Sequence, residues 1–212
     1  MELVLMFFSS MLIAYSGAIM PGPMLAVVVA ESPRQGVRAG PLVVLGHALL
    51  ELALLGLLVL GLGPLLVREG VQAVLSMVGG VMLVATAAAM LLSVVRDTAR
   101  LEYGAAGGRA HGRAVLGGVV SSLSNPYWSI WWATIGLSLL TKAYALGAAA
   151  LVAFYVGHIL GDLTWYSAVS GVIAAGRRWI TPRRYRVMVA VMACFLLVLA
   201  AWFVVSGVRL AN

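Results

Sequence analysis

The sequence predicts an all-α membrane protein with six transmembrane helices, arranged as two inverted three-helix repeats whose first and fourth helices are broken. Composition supports the membrane class. The 212-residue chain is 63% hydrophobic and 10% charged, with a mean hydropathy of +1.05. Soluble domains are about 45–50% apolar and about 25% charged. Span length and a polar motif that recurs in the second half of the chain supply the other two observations.

Six apolar segments are long enough to cross a hydrocarbon core of about 30 Å, for which a helix needs roughly 20 residues. They cover residues 3–30, 40–67, 71–95, 114–140, 144–172 and 186–208. Four of them exceed the required length, which indicates tilt, kinks or extension beyond the hydrocarbon. We therefore expect residues 1–95 and 114–212 to form the two repeats, joined by a linker over residues 96–113.

Basic residues lie mainly in the first, third and fifth connections between the predicted spans. Those connections hold Arg34, Arg38, Arg96, Arg100, Arg109, Arg113, Arg177, Arg178, Arg183, Arg184 and Arg186, whereas the opposite side holds Arg68, Lys142 and Arg209. The bias predicts that these connections face the cytoplasm and that both termini face outside. Because each half has three spans, the second half enters from the opposite face, which makes the repeat inverted.

The net charge of +7 does not indicate nucleic-acid binding, since the chain has no soluble basic surface to carry it. Topology and lipid headgroup contacts explain the arginines. A disulfide framework is excluded by the lone Cys194, and Glu2 argues against a signal peptide. Nothing indicates an enzyme, because the sequence has no nucleotide motif and no nucleophile–base constellation, and no cofactor is expected.

An ionisable motif stands within the second and the fifth predicted spans. Gly46-His47-Ala48-Leu49-Leu50-Glu51 returns as Gly157-His158-Ile159-Leu160-Gly161-Asp162. In each copy the histidine and the carboxylate are four residues apart, so they share one helix face. Ionisable residues at membrane depth are costly and usually functional. Their repetition predicts that His47, Glu51, His158 and Asp162 meet at a transport site on a pseudo-two-fold axis.

Three interpretations of this motif stay open. Each pair could be a structural hydrogen bond within its own helix. Two histidines and two carboxylates could also bind a divalent cation as the transported substrate. We favour a third interpretation, in which Glu51 and Asp162 bind a substrate ammonium group and exchange protons. Burial favours a neutral carboxyl group, a nearby cation favours the ionised one, and His47 and His158 tune the carboxylates or relay the proton.

Proline motifs interrupt the first and the fourth predicted spans. Pro21-Gly22-Pro23 lacks two backbone donors, and Asn125-Pro126 is its counterpart in the second half. A membrane tolerates such breaks only inside protein or beside a water-filled cavity. N–H groups freed at the start of the following helix suit a carboxylate. The predicted substrate-binding residues are therefore Pro21, Gly22, Pro23, Glu51, Asn125, Pro126 and Asp162. Two unrelated kinks that only assist packing are the alternative.

Aromatic residues follow the second break at Tyr127, Trp128, Trp131 and Trp132, and Trp165 and Tyr166 follow Asp162. We interpret them as part of an interfacial belt. The alternative is that Trp128 and Trp132, which share a helix face, line the cavity. Ser121 and Ser122, about one turn before Pro126, are further candidates for cavity lining.

These motifs resemble those of a known family. Pro21-Gly22-Pro23, Gly36-x-x-x-Gly40 and Gly46 are similar to the opening signature of the lysine exporter (LysE/RhtB-type) translocators. Ser124-Asn125-Pro126 resembles the Asn-Pro motif of that family's fourth helix, and Gly161-Asp162 followed by Trp165 resembles its fifth-helix pattern. Two positions depart from the family pattern. Tyr127 stands where many members have lysine, and His47 with Glu51 replaces a common Gly-Asp pattern.

The resemblance implies a secondary transporter that exports an amino acid or a similar small zwitterion from the bacterial cytoplasm, driven by a proton or membrane gradient. The expected partners are the small-molecule substrate and the lipid bilayer, and so small a bundle is compatible with a homodimer. The wider superfamily includes cation exporters, so a divalent metal exporter using His47, Glu51, His158 and Asp162 is one alternative. A non-transporting membrane scaffold is the other, although a scaffold has little reason to keep four ionisable side chains at membrane depth.

Overall fold

The structure is a computed structural model that describes residues 1–96, 108–176 and 181–211, without the side chains of residues 108 and 109. In these ranges the chain is helical almost throughout and contains no strand. The helices are α1 (Glu2–Ala18), α2 (Pro23–Gln35), α3 (Ala39–Leu57), α4 (Gly63–Leu66), α5 (Glu69–Val95), α6 (Gly108–Leu123), α7 (Pro126–Trp131), α8 (Leu137–Leu146), α9 (Ala148–Ala175) and α10 (Pro182–Ala211). A 3₁₀ turn covers Gly36–Arg38, and π-helical turns cover Leu58–Leu62 and Trp132–Gly136.

Within the described residues, four helical stretches are long and apolar enough to span a membrane by length and composition. They are Pro23–Leu66, Glu69–Val95, Ala148–Ala175 and Pro182–Ala211. Helix α1 is apolar but shorter, at 17 residues. The chain is therefore an all-α membrane protein, as predicted. Breaks divide the first and the fourth predicted spans, so neither forms one uninterrupted helix of membrane length.

Both breaks occur at the proline motifs, because proline lacks an N–H donor and its ring collides with the carbonyl one turn earlier. Gly22 caps α2 in an extended conformation, with φ −149° and ψ −176°. Asn125 caps α7, and its Oδ1 accepts a hydrogen bond of 3.1 Å from the backbone N–H of Tyr127. The two breaks face each other, since a Cβ built on Gly22 would lie 3.7 Å from Asn125 Nδ2.

Gly36 turns the chain between α2 and α3. Its φ of +61° lies in the left-handed region, which residues with a Cβ rarely adopt. Helix α2 ends there, and α2 and α3 then pack against each other and both against α6 and α9. This turn places both α2 and α3 against α6 and α9 of the second half.

Several predicted boundaries differ from the structure by a few residues. The fourth predicted span ends at residue 140 but α8 ends at Leu146, and the fifth starts at residue 144 but α9 starts at Ala148. Helix α6 starts at Gly108, inside the predicted linker, and α10 starts at Pro182 rather than at residue 186. Most of the linker, 97–107, lies outside the described residues, as do Arg100, Arg177, Arg178 and the side chain of Arg109.

Glycines allow α3 and α6, and likewise α1 and α9, to pack closely. A Cβ on Gly46 would collide with the carbonyl of Val115, and a Cβ on Gly157 would collide with the carbonyl of Phe7. Small residues at such contacts let membrane helices approach backbone to backbone. Because Gly46 and Gly157 directly precede His47 and His158, this packing holds both histidines in the interior of the bundle.

Candidate functional site

The two copies of the ionisable motif meet between α3 and α9, which pack against each other. Helix α3 supplies His47 and Glu51, and α9 supplies His158 and Asp162. All four are buried, with between 1% and 5% of their surface exposed. The i,i+4 spacing turns each pair towards the other helix, so the motif that recurs in the sequence becomes one cluster.

Each imidazole in this cluster touches both carboxylates. His47 Nε2 lies 3.1 Å from Glu51 Oε1 and 3.3 Å from Asp162 Oδ2. His158 Nε2 lies 3.0 Å from Glu51 Oε2 and 3.7 Å from Asp162 Oδ2. Acids and imidazoles therefore alternate around a closed ring, and the four potential ligand atoms lie within 4.8 Å of one another.

Two tryptophans hold one oxygen of Glu51. Trp128 Nε1 and Trp132 Nε1 each donate a 2.8 Å hydrogen bond to Glu51 Oε1. The interfacial-belt interpretation is therefore wrong for this pair. Trp128 lines the cavity beside the cluster, as the alternative predicted, whereas Trp132 is fully buried beside Glu51 and does not line it. A buried indole N–H needs an acceptor, and the carboxylate supplies it. Two donors on one oxygen favour the ionised form of Glu51.

The second oxygen of Glu51 and one oxygen of Asp162 receive no hydrogen bond from an indole N–H. Glu51 Oε2 and Asp162 Oδ2 are buried without a directed hydrogen bond, although both lie within ion-pair distance of His158 Nε2. Buried polar atoms are normally satisfied, so these two leave acceptor capacity for a cationic ligand or a proton.

Ser122 of α6 determines which nitrogen of His47 donates. The Ser122 hydroxyl donates to the carbonyl of Gly118 at 2.7 Å, and its oxygen lies 2.7 Å from His47 Nδ1. A hydroxyl group has one hydrogen, so Nδ1–H must be the donor to Ser122. His47 Nε2 then faces two carboxylate oxygens, a contact that is favourable only with a proton on Nε2 or on one of those oxygens.

A cavity of about 50 Å³ adjoins the cluster, with room for a few water molecules. Of the predicted site residues, it is lined by His47, Glu51, Asn125, His158 and Asp162. A smaller cavity of about 20 Å³ shares the lining residues Met24, Asn125 and Tyr166 with it. Pro21 and Gly22 line that smaller cavity, so both breaks adjoin the interior.

Pro23 and Pro126 line neither of these two cavities. Pro126 packs against α5, because a Cβ on Gly79 would lie 2.8 Å from Pro126 Cδ. Pro23 is the first residue of α2 and is fully buried. In this structure both prolines shape the breaks without facing the cavities.

Several cavity residues were missed or misassigned in the sequence. Trp131 packs on the His158 ring at a centroid distance of 4.7 Å, although it was interpreted as part of an interfacial belt. Tyr166, which lines both cavities, was likewise interpreted as part of an interfacial belt. It lies four residues after Asp162 and so on the same helix face, a spacing that marks it in the sequence.

A comparison with protein-family models matches the LysE type translocator over residues 15–207. The match includes both breaks and both copies of the ionisable motif. The chain belongs to the LysE type translocator family. Comparisons with curated proteins and with solved structures give no match. As a LysE type translocator, the chain is a multi-pass membrane protein that transports small molecules across a lipid bilayer.

Proposed function

We propose that this LysE type translocator exports an amino acid or a similar small zwitterion across the bacterial inner membrane in exchange for protons. The observation that carries the proposal is the buried ring of two carboxylates and two imidazoles beside a cavity that both helix breaks adjoin. A scaffold would gain nothing from such a cluster, since each buried ionisable group needs compensation.

The substrate ammonium group binds at Glu51 Oε2 and Asp162 Oδ2. These oxygens are buried without directed donors, and an ammonium group offers three. The indoles of Trp128 and Trp132 occupy Oε1, so they turn the second oxygen of Glu51 towards the ligand. The ammonium group thereby replaces His158 as the cationic neighbour of both carboxylates.

The substrate carboxylate binds at the helix breaks. Helix α2 starts with Gly22 and Pro23, has no side-chain cap, and directs its first free N–H groups towards the break. Asn125 Nδ2 lies across from Gly22 and adds a donor. Partial positive charge at the start of a helix and an amide N–H together suit an anion.

Proton exchange follows from competition for the same two carboxyl groups, since the ammonium group and the proton at His47 Nε2 share Asp162 Oδ2. The proton between His47 Nε2 and the two carboxylates neutralises part of the ring. A substrate ammonium group supplies positive charge at that point and favours release of the proton. Substrate and proton therefore alternate at one site, which is the minimum needed for exchange, and His158 relays or tunes the proton on the other side of the ring.

Ser122→Ala should reduce proton-driven export about tenfold and move the pH at which export is half-maximal, because His47 loses the acceptor that orients it. The measurement is initial export rate against pH in proteoliposomes. Ser121→Ala is the matched control. Ser121 Oγ also donates a hydrogen bond to the Gly118 carbonyl, at 3.2 Å, but it makes no hydrogen bond with His47. Equal effects of the two substitutions would contradict the assigned role of Ser122.

Inverted repeats over residues 1–95 and 114–212 complete the proposal, with six spans in all. Exchange of the halves maps α1 onto α6, α2 onto α7–α8, α3 onto α9 and α5 onto α10. Under this exchange, the contact between α1 and α9 corresponds to the contact between α6 and α3. The contact between α5 and α7 corresponds likewise to the contact between α10 and α2. All four of these helix pairs pack against each other in the structure. The pairs α5–α10 and α3–α9 map onto themselves, as expected for helices on the axis.

Export of a divalent metal cation is the second candidate. Ligands bound at 2.0–2.1 Å in a tetrahedron lie about 3.3 Å apart. The nitrogen–oxygen distances around the ring, 3.1, 3.3, 3.0 and 3.7 Å, are close to that value. The four residues thus fit an ion such as Zn²⁺ as cargo, bound through both Nε2 atoms, one oxygen of Glu51 and Asp162 Oδ2.

Transport by the purified protein in proteoliposomes distinguishes these functions. Vesicles are loaded with neutral, acidic or cationic amino acids and an opposing pH gradient is imposed. We expect efflux of an amino acid together with proton uptake, and loss of both with a protonophore. A parallel panel uses Zn²⁺ and Cd²⁺. Metal flux without amino-acid flux, abolished by His47→Ala and His158→Ala, would assign the second function. No flux in either panel would support the scaffold.

A further inference from the structure

An ion pair between Glu31 of α2 and Arg113 of α6 lies outside the ring. Arg113 Nη2 is 3.0 Å from Glu31 Oε1 and 3.4 Å from Glu31 Oε2. The side chain of Glu31 is 9% exposed and that of Arg113 is 54% exposed. Gln35, one turn after Glu31, donates a 2.7 Å hydrogen bond to the carbonyl of Ala110. These contacts join the first half of the chain to the second at the end of the bundle that carries Arg34 and Arg38.

Helix α2 connects this ion pair to the cavities. It starts at the Pro21-Gly22-Pro23 break, where Gly22 and Met24 line the interior, and it ends at Gly36, whose φ is positive. Glu31 lies eight residues after Pro23, or about 12 Å along the helix axis. A rigid segment between two irregular joints can pivot as a unit, so movement at the cavity end is transmitted to Glu31.

Helices α2 and α6 also touch one helical turn from the ion pair. A Cβ on Gly117 would lie 2.8 Å from Val27 Cγ1, so these residues are in contact. Val27 and Gly117 are each four residues, one helical turn, from Glu31 and Arg113. A molecule passing between α2 and α6 from the Arg113 end must therefore separate the ion pair first and the Val27–Gly117 contact second.

The corresponding place in the second half is open. Thr134 follows Pro126 by eight residues, as Glu31 follows Pro23, and no carboxylate stands there. A groove of about 370 Å³ lies at that position and is lined by Ile13, Thr134, Ile135, Ser138, Leu139 and Lys142. The helical segments that follow the two breaks thus differ: an ion pair closes the first, and an open, largely apolar groove lies beside the second.

We propose that Glu31 and Arg113 form the latch of a gate, with α2 as the gate helix, and that substrate reaches the cavity from the Arg113 end only when this ion pair separates. The inference rests on the proposed transport function for its purpose, but its geometry is independent of the substrate. A half-exposed ion pair contributes little stability, which suits a contact that must break in every cycle.

The test measures the accessibility of position 27 and requires no transport. Val27→Cys is introduced together with Cys194→Ala, which removes the native thiol. Reconstituted protein with the Arg113 end facing the medium is treated with a membrane-impermeant methanethiosulfonate. Arg113→Ala and Glu31→Gln should each raise the labelling rate about fivefold. Arg113→Lys retains the charge and should label at nearly the background rate.

Arg38→Ala is the matched control, because it removes an exposed arginine from the same end of the bundle without touching Glu31. Unchanged labelling in both Arg113→Ala and Glu31→Gln would overturn the latch, as would an equal increase in Arg38→Ala. Thermal melts confirm that the variants fold. If these variants label faster but the protein exports none of the tested amino acids or metals, the gate is supported and only the proposed function is rejected.

Discussion

Glu51→Gln should abolish proton-driven export while the protein still folds and inserts. Glutamine keeps the shape of the side chain and an oxygen acceptor for Trp128 and Trp132, whose hydrogen bonds of 2.8 Å hold Glu51 Oε1. It removes the charge that faces the substrate ammonium group and His158. Loss of one partner from a buried charge pair costs about 2–5 kcal/mol, so we expect export to fall by roughly 100-fold or more.

Initial efflux rates in proteoliposomes provide the measurement. Glu69→Gln is the control, since Glu69 is exposed at the start of α5, away from the cavity lining. Asp162→Asn should behave as Glu51→Gln does, although exchange of substrate without a gradient can survive in either variant. Normal export with unchanged pH dependence in both amides would make the carboxylates structural.

Gly46→Ala should destabilise the protein more than any single change on the surface of α3. The added methyl group meets the carbonyl of Val115 on α6, a backbone atom that cannot turn away as a side chain can. The helices must separate, which loses the close contact that positions His47 against Ser122. Overpacking costs about 1–3 kcal/mol or more, and the melting temperature of a chain of this size falls about 2–4 °C per kcal/mol.

Gly56→Ala is the matched control on the same helix. Gly56 is exposed, and a Cβ built on it meets no atom within 4 Å. Alanine there should leave the melting temperature unchanged or raise it slightly, because it restricts the unfolded chain. Thermal unfolding in detergent, followed by size-exclusion chromatography, compares the two variants. A similar melting temperature for both would mean that α3 and α6 are farther apart than the structure indicates.

Local properties of the sequence determined the membrane class and the positions of the two breaks. Hydropathy depends on composition within one segment, and proline disrupts a helix through its own missing N–H group and ring. The i,i+4 spacing of His47–Glu51 and of His158–Asp162 likewise follows from one helix alone. These features need no knowledge of which helices are neighbours.

Only the tertiary structure decided which groups complete the site. Trp128 and Trp132 are equally suited by sequence to an interfacial belt or to a buried contact, and their position beside α3 in the folded chain selects Glu51 as their acceptor. Ser122, Tyr166 and the Glu31–Arg113 pair depend on contacts between helices that are distant in sequence. A hydrogen bond or an ion pair requires atoms within about 3 Å, and helix packing, which a one-dimensional pattern does not contain, brings them to that distance.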